Sequence, residues 1–312
     1  MEPFFTIMIP VFNQMGKMDR CVESLKAQTF TDFEVLLIDD GSNDGSLEVL
    51  ESFAKSDERF KVIKHDGNKS VLNARITAMS NAKGEHMMFI DIDDYIENNS
   101  FELIYNSLKE NKVDVLTFGF IMEPQGKEVL PILPEKPITS YLRGEMPPCV
   151  WKSCYSRSVI EKTLNSVESF YCNMGEDGYI TGIIYTYAES FGVLNKVLYH
   201  YITGDGMSSG SANLNIDKLK KTVGHVELSS NALIKFLSEN NPEYVDDAKY
   251  AMFDNMHTLL WQYLLPEKDF RKIFEYISFF NNEEYAEVFD FACNVVLPAK
   301  IKMRLEMNEK NK

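Results

Sequence analysis

Four short apolar runs near the N-terminus alternate with segments of helical periodicity, and this alternation constrains the fold more than any other feature. The runs are residues 6–11, 34–38, 60–63 and 86–90. The segments between them are residues 17–28, 46–55 and 71–82. Runs that are apolar on both faces are typical of parallel strands covered by helices on both sides. The order predicts right-handed crossovers and an open, doubly wound α/β sheet.

The later part of the chain continues this pattern and then changes character. A fifth strand is predicted at 113–120, a helix at 177–189 and a strand at 191–201, with a proline- and glycine-rich irregular stretch at 121–148. Residues 204–210 are rich in glycine and serine and indicate a boundary or a mobile loop. Long amphipathic patterns follow. We therefore expect an α/β domain over 1–210 and a helical C-terminal region over 211–312.

The formal net charge of −15 limits the class of partner. Nucleic-acid binding needs a basic surface that displaces counterions, so this charge argues against it. The negative charge does not exclude a nucleotide ligand, because one local metal ion can offset the charge of the phosphates. The five cysteines include no C-x-x-C pair, which indicates buried thiols in a reducing compartment.

No apolar run reaches the roughly 18 residues that a membrane-spanning helix needs. The N-terminus has no basic stretch ahead of an apolar one, so it does not resemble a signal peptide. We expect a cytoplasmic protein. Residues 298–305 mix basic and apolar side chains. Such a segment can lie on anionic lipid, so peripheral contact with the inner face of the membrane is a second expectation, beside an ordinary packed helix.

Polar clusters follow the first two predicted strands. Residues 10–13 read Pro-Val-Phe-Asn, where the aromatic ring can present a flat face to a base or simply fill the core. Residues 39–42 read Asp-Asp-Gly-Ser, and a carboxylate here can accept a hydrogen bond from a nucleobase N–H. As an alternative to ligand binding, Asp44 or Asn43 can cap the N-terminus of the next predicted helix.

A third cluster, Asp91, Asp93 and Asp94, follows the fourth predicted strand. Three carboxylates so close together repel one another unless a cation is present. A hard divalent ion uses one or two carboxylates together with phosphate oxygens of the substrate. The pattern therefore favours a metal that bridges a nucleotide diphosphate, over solvated surface acids.

In order and spacing, these clusters resemble the family 2 glycosyltransferases, which have the GT-A fold. The family pattern runs P-V-Y-N, Q-T-x-x-D-x-E, V-D-D-G-S-x-D-x-S, A-R-N, G-E-Y and F-L-D-S-D-D. The corresponding segments are residues 10–13, 28–34, 38–46, 74–76, 84–86 and 89–94. The likeness is dense over residues 4–100 and looser over 101–205.

The resemblance implies a Rossmann-like, mostly parallel GT-A sheet, with nucleotide-sugar binding in residues 1–110 and the acceptor side in 111–210. It also implies a role for each matching residue. The donor-binding residues would be Pro10, Val11, Phe12, Asn13, Asp40, Arg75 and Asp91. Pro10 and Phe12 would pack against the uracil of a UDP-sugar, and Asp40 would accept from its N3–H. Asp93, with Asp91, would ligate Mn²⁺ or Mg²⁺.

The G-E-D segment of the family supplies the catalytic base, and here it corresponds to Gly175-Glu176-Asp177. Asp177 would deprotonate an acceptor hydroxyl, and a single displacement would invert the anomeric centre. The alternative interpretation is that Glu176 and Asp177 are simply acidic residues in the first turn of a helix, where the helix dipole favours negative charge. The resemblance further implies a hexosyltransferase whose acceptor is a glycan or lipid-linked glycan of the cell envelope.

Two segments depart from the family pattern. N-x-G-x-S-x-A-R-N becomes residues 68–76, which lack the Gly, the Ser and the final Asn. W-x-K-L-Y becomes residues 151–155, where Lys152 stands one position early. These changes bear on the shape of the pocket for the donor sugar.

Other classes of protein compete with a glycosyltransferase. A sugar-1-phosphate nucleotidyltransferase would need a glycine-rich, basic phosphate loop near the N-terminus, and this sequence has none. A dinucleotide-dependent dehydrogenase should carry G-x-G-x-x-G after the first strand, where this chain has Pro-Val-Phe-Asn-Gln. A non-catalytic module that binds a nucleotide sugar or a glycan on the same fold stays open as an alternative. The acids at 93 and 177 favour the enzyme over that module.

Overall fold

The structure is a computed structural model that describes residues 2–203, 215–264, 267, 269–281, 283, 285–291, 293 and 294. At residues 261–264, 270 and 291 it describes the backbone alone. The expected loop at 204–210, the proposed boundary at 210/211 and the basic segment 298–305 lie outside the described residues.

Nine strands form one sheet in the described part of the chain. They are β1 (Phe5–Val11), β2 (Phe33–Asp39), β3 (Phe60–Lys64), β4 (His86–Phe89), β5 (Tyr95–Ile96), β6 (Val115–Glu123), β7 (Lys127–Val129), β8 (Ser153–Ser156) and β9 (Phe191–Ile202). The strand order is β3-β2-β1-β4-β8-β6-β9-β5, and β7 pairs with β6.

The helices alternate with the strands in the first half of the chain and then follow one another. They are α1 (Asp19–Lys26), α2 (Ser46–Ser56), α3 (Val71–Asn81), α4 (Ser100–Glu110), α5 (Pro137–Leu142), α6 (Arg157–Leu164), α7 (Glu176–Tyr187), α8 (Ile216–Asn240), α9 (Val245–Leu264), α10 (Phe270–Phe279) and α11 (Ala286–Phe291).

The sheet is mostly parallel, which confirms the predicted fold class. Strands β3, β2, β1 and β4 run parallel to one another. Antiparallel β8 lies between β4 and β6, so β6 again runs in the direction of β4, and β9 is parallel to β6. Every residue of β2 and β4 is buried, as expected for strands covered on both faces.

The stretch 121–148 is more ordered than its composition predicts. It contains the end of β6, the short strand β7 and helix α5, which has a proline in its first turn. A proline is tolerated there because the N–H that it lacks would have no partner within the helix. The prediction of a wholly irregular excursion was therefore wrong for these residues.

The predicted helical region after residue 215 is confirmed for the described residues. Helices α8 to α11 enclose a second, smaller apolar core that includes Leu219, Met256 and Phe280. Leu233 and Leu237 of α8 belong instead to the main core around the sheet. Helix α8 thus connects the two cores. None of the helices in the described ranges is long and apolar enough to cross a membrane.

Gly84 offers a test of how closely the chain passes over the start of β1. An added Cβ would lie 2.4 Å from the backbone nitrogen of Thr6, a contact that only backbone movement relieves. We expect Gly84→Ala to lower the free energy of unfolding by about 3 kcal/mol in urea titrations. Gly67 has open space around its Cα and an ordinary φ, so Gly67→Ala is the control. Equal losses in both variants would contradict this packing.

Candidate active site

The polar clusters that the sequence places after β1 and β2 lie side by side. The two strands are parallel and in register, with Pro10 beside Ile38 and Val11 beside Asp39. The carbonyl of Val11 accepts the Asp40 N–H at 2.8 Å. Ligands of open α/β sheets bind beyond this carboxyl edge. The candidate site therefore starts from these two strand ends.

The loop after β1 is hydrogen-bonded to the loop after β2. Asn13, in a left-handed conformation (φ 52°), donates its N–H to Ser42 Oγ at 3.0 Å. Its side-chain oxygen accepts the Asn43 N–H at 2.9 Å. Phe12 directly precedes Asn13 in the sequence and is 39% exposed. The loops thus hold an aromatic ring at the surface, where a flat ligand can reach it.

Asp40 is buried, and its carboxylate organises the segment that leads into α3. Oδ1 accepts the Lys69 N–H at 2.8 Å and lies 2.7 Å from Nδ1 of His65. Oδ2 accepts the Ser70 N–H at 2.9 Å. A carboxylate oxygen can accept two hydrogen bonds, so Oδ2 keeps capacity for one further donor.

Ser70 occupies a backbone conformation that side chains rarely adopt. It has φ 88° and ψ 157°, it precedes α3, and it is fully buried. It also stands at the glycine position of the N-x-G-x-S-x-A-R-N pattern. Its hydroxyl accepts the Cys172 N–H at 3.0 Å. These bonds hold a strained residue in the place where glycine would be free of strain.

Arg75 of α3 connects β4 to α7. Its side chain is only 3% exposed, with Nη2 3.2 Å from Asp91 Oδ1 and Nη1 3.3 Å from Glu176 Oε1. Nη1 also contacts the carboxylate of Asp177. Burying a guanidinium is costly unless carboxylates surround it, and here three of them do. The guanidinium of Arg75 thus joins Asp91, the first acid of the cluster after β4, to Asp177, the predicted catalytic base.

The acidic loop after β4 is positioned by β9. Tyr199 donates its hydroxyl proton to Asp94 Oδ2 at 2.6 Å and accepts the Asp91 N–H at 3.2 Å. The indole of Trp151 stacks on Tyr199 with ring centroids 4.4 Å apart. Burial, and next the Asp91 charge, raise the pKa of Asp94 to about 8. Asp94 is therefore a structural acid, whereas Asp91 and Asp93 reach the surface.

Asp177 lies in the first turn of α7 and is 26% exposed, so a substrate can reach it. Gly175, in a left-handed conformation, precedes the helix. A Cβ at Gly175 would lie 2.5 Å from Ser229 Oγ of α8. Burial raises the pKa of the neighbouring Glu176, and the charge of Arg75 opposes that rise. The start of α7 is thus fixed from both sides, by α3 and by α8.

Asp91 and Asp93 fit the needs of a divalent cation only together with a ligand. Both are partly exposed, and Asp91 is 29% exposed. No group of three His, Cys, Asp or Glu side chains among the described residues could hold a metal ion. Mg²⁺ and Mn²⁺ sites of this kind use one or two carboxylates and take their other oxygens from water and phosphates. The pair suits a cation that arrives with a nucleotide diphosphate.

The structure brings together three of the predicted site residues, Arg75, Asp91 and Asp177. Pro10, Phe12 and Asn13 stand along the same sheet edge. The side chain of Val11 lies in the main core, so only its backbone can face a ligand. Tyr199 and His65 were not predicted to take part. Tyr199 lies in β9, and its position in the sequence gave no sign of its bond to Asp94.

Two solved structures share this architecture. S. aureus TarS 1–349 in complex with UDP-GlcNAc has a TM-score of 0.60 at 16% identity, over 95% of this chain and 92% of that one. The mannosyltransferase PcManGT from Pyrobaculum calidifontis, in complex with GDP-Man and Mn²⁺, has a TM-score of 0.55 at 12% identity, over 95% and 81%. The fold is that of the GT-A glycosyltransferases, as the sequence predicted.

Sequence comparison then gives the family. Residues 6–168 match Glycosyl transferase family 2, so the chain belongs to that family. The uncharacterised glycosyltransferase EpsJ of Bacillus subtilis is 29% identical over 213 residues, which are 64% of this chain. The match spans 61% of the length of EpsJ.

Ser70 allows the strained start of α3 to be tested. Ser70→Ala and Ser70→Gly both remove the hydroxyl, but only glycine relieves the backbone strain. We expect the glycine variant to be more stable than the alanine variant by about 1–3 kcal/mol in urea unfolding. Ser80, an exposed residue within α3, is the control. There alanine should be the more stable by about 0.5–1 kcal/mol. The same order at both positions would contradict the strain.

Proposed function

We propose that this protein is an inverting glycosyltransferase that moves a sugar from a UDP-sugar to a hydroxyl group of an acceptor. The observation that carries the proposal is the contact of Arg75 with both Asp91 and Asp177. This contact supports the proposal, because the acid that would face the diphosphate and the acid that would activate the acceptor share one arginine. A donor bound at Asp91 and an acceptor bound at Asp177 would therefore lie close together, on either side of the Arg75 guanidinium.

The nucleotide would bind along the ends of β1 and β2. The exposed ring of Phe12 offers a stacking surface for the base, with Pro10 beside it. The unused acceptor capacity of Asp40 Oδ2 suits the N3–H of uracil. The solved TarS complex with UDP-GlcNAc supports a nucleotide-sugar donor of this kind.

Asp91 and Asp93 would hold Mn²⁺ or Mg²⁺ together with the diphosphate. When bound, such a cation neutralises the charge that develops on the departing UDP. Arg75 would keep Asp91 in place for this role. The Mn²⁺ in the PcManGT complex supports the assignment.

Asp177 would act as the general base. Its carboxylate would take the proton from the acceptor hydroxyl while the hydroxyl oxygen attacks the anomeric carbon. The bond from that carbon to the β-phosphate oxygen breaks, and UDP leaves with the electron pair. Because one displacement occurs, the anomeric configuration inverts. The position of Asp177 in the first turn of α7 stabilises its negative charge.

The acceptor would be a glycan or lipid-linked glycan of the cell envelope. Membership of glycosyl transferase family 2 supports an acceptor of this class. Peripheral contact with the inner face of a membrane, in an otherwise cytoplasmic protein, belongs to this proposal.

Release of UDP from a panel of UDP-sugars tests the proposal, with Mn²⁺ and with EDTA. We expect metal-dependent release from one sugar, lowered at least about 100-fold by Asp93→Asn and by Asp177→Asn, because general-base and charge-stabilising groups contribute effects of this size. Asp32→Asn is the control, since Asp32 is exposed and precedes β2, at the opposite edge of the sheet.

Two outcomes would overturn it. UDP binding without release from any sugar, in wild type and variants alike, would make the chain a non-catalytic module that binds a nucleotide sugar. Release that persists in EDTA and in Asp93→Asn would remove the metal from the mechanism.

A further inference from the structure

A cavity of about 530 Å³ lies on the acceptor side of the molecule. Its wall is formed by β6, by residues from 129–132 and 141–148, by the start of α7 and by α8 and α9. Apolar side chains predominate in the wall, among them Phe118, Tyr179 and Leu233. Its volume falls within the range of small-molecule sites.

The cavity reaches the helical turn that carries the proposed catalytic base, although Asp177 itself is not one of the lining residues. Gly175 and Gly178 both line it, and Asp177 lies between them in the first turn of α7. Because neither glycine carries a side chain, a ligand in the cavity can approach the backbone of this turn. The cavity is therefore placed to hold an acceptor rather than a nucleotide, whose expected site is at the ends of β1 and β2.

Lys152 also lines the cavity and is only 3% exposed. Its ammonium donates a hydrogen bond to the carbonyl oxygen of Pro147. Among the described residues, no carboxylate lies within ion-pair distance of the Lys152 ammonium. An ammonium can donate three hydrogen bonds, so this one has donor capacity for a ligand. Burial lowers the pKa of Lys152 to about 8. A buried cation without an anion is costly, so a ligand that brings the anion would be stabilised.

The opening of the cavity is apolar as well. Ile132 is 68% exposed, and Leu130 beside it is also exposed. Two exposed carboxylates, Glu145 and Asp254, lie among the lining residues. Solvent screens exposed charges far more than a buried one, so these acids oppose an anion less than Lys152 attracts it. An occupant therefore needs both an anionic group and an apolar chain.

We infer that this cavity binds a lipid phosphate, the part of a lipid-linked acceptor where a phosphate joins an apolar chain. The phosphate pairs with the ammonium of Lys152, and the chain leaves along Leu130 and Ile132. The acceptor sugar then lies at the start of α7, near Asp177. The inference rests on the proposed function and names the class of its acceptor. It also gives the displaced lysine of the W-x-K-L-Y segment a use.

Calorimetric titration with three small probes tests the site. Octyl phosphate carries both groups, octanol carries only the chain, and inorganic phosphate carries only the anion. We expect the wild-type protein to bind octyl phosphate at least 10-fold more tightly than either of the other two. Equal binding of octyl phosphate and inorganic phosphate would overturn the assignment of a lipid, and no binding of octyl phosphate would overturn the site.

Three variants assign the binding to its residues. Lys152→Met should weaken octyl phosphate binding at least 10-fold, and its melting temperature should not fall, because an unpaired buried charge is removed. Ile132→Ser, at an exposed position, should weaken octyl phosphate but not inorganic phosphate. Lys136→Met is the control, since Lys136 is exposed and does not line the cavity. Unchanged octyl phosphate binding in Lys152→Met would contradict the inference.

Titration of the wild-type protein with UDP, in the same buffer, separates the two proposals. UDP binding with no effect of Lys152→Met on octyl phosphate would leave the proposed transferase intact and overturn only the lipid-phosphate site. Octyl phosphate binding that depends on Lys152, in a protein that binds no UDP and turns over no UDP-sugar, would overturn the proposed function and leave the site.

Discussion

The buried guanidinium of Arg75 is the contact on which the candidate site depends. It lies between Asp91 after β4 and the acids that open α7, which follow Arg75 by about a hundred residues. One positive charge faces three carboxyl groups, so the cluster has an excess of negative charge. That excess would favour a cation beside Asp91, as the proposed binding of a nucleotide diphosphate requires.

The rest of the fold holds the two ends of this contact. Parallel strands bring the loops after β1, β2 and β4 to one edge, and Asp40 fixes the entry to α3 through backbone N–H groups at residues 69 and 70. The hydroxyl of Tyr199 sets the acidic loop from the other side. Helix α8 packs tightly against Gly175, so the start of α7 has no space to move away from the site. The sheet and the C-terminal helices thus converge on a few polar side chains.

Much of this arrangement could be predicted from sequence, because apolar runs and helical periodicity are local signals. The strands β1 to β4 and the order of the acids followed from them. The sequence did not indicate that β8 would be inserted antiparallel between β4 and β6, since pairing partners depend on the whole sheet. Nor did it indicate that Arg75 would contact Asp177, or that Lys152 would be buried without a carboxylate. These contacts form between segments that are distant in the sequence, and no local sequence pattern predicts them.

A double-mutant cycle on the Arg75–Glu176 pair tests the central contact most directly. Urea unfolding would be measured for Arg75→Met, Glu176→Gln and the double variant. We expect Arg75→Met alone to cost about 3–5 kcal/mol, because it leaves buried carboxylates without their cation. Glu176→Gln should recover part of that loss, with a coupling energy of about 0.5–3 kcal/mol. Strictly additive losses would show that the guanidinium does not interact with Glu176 between α3 and α7, and would contradict this account of the site.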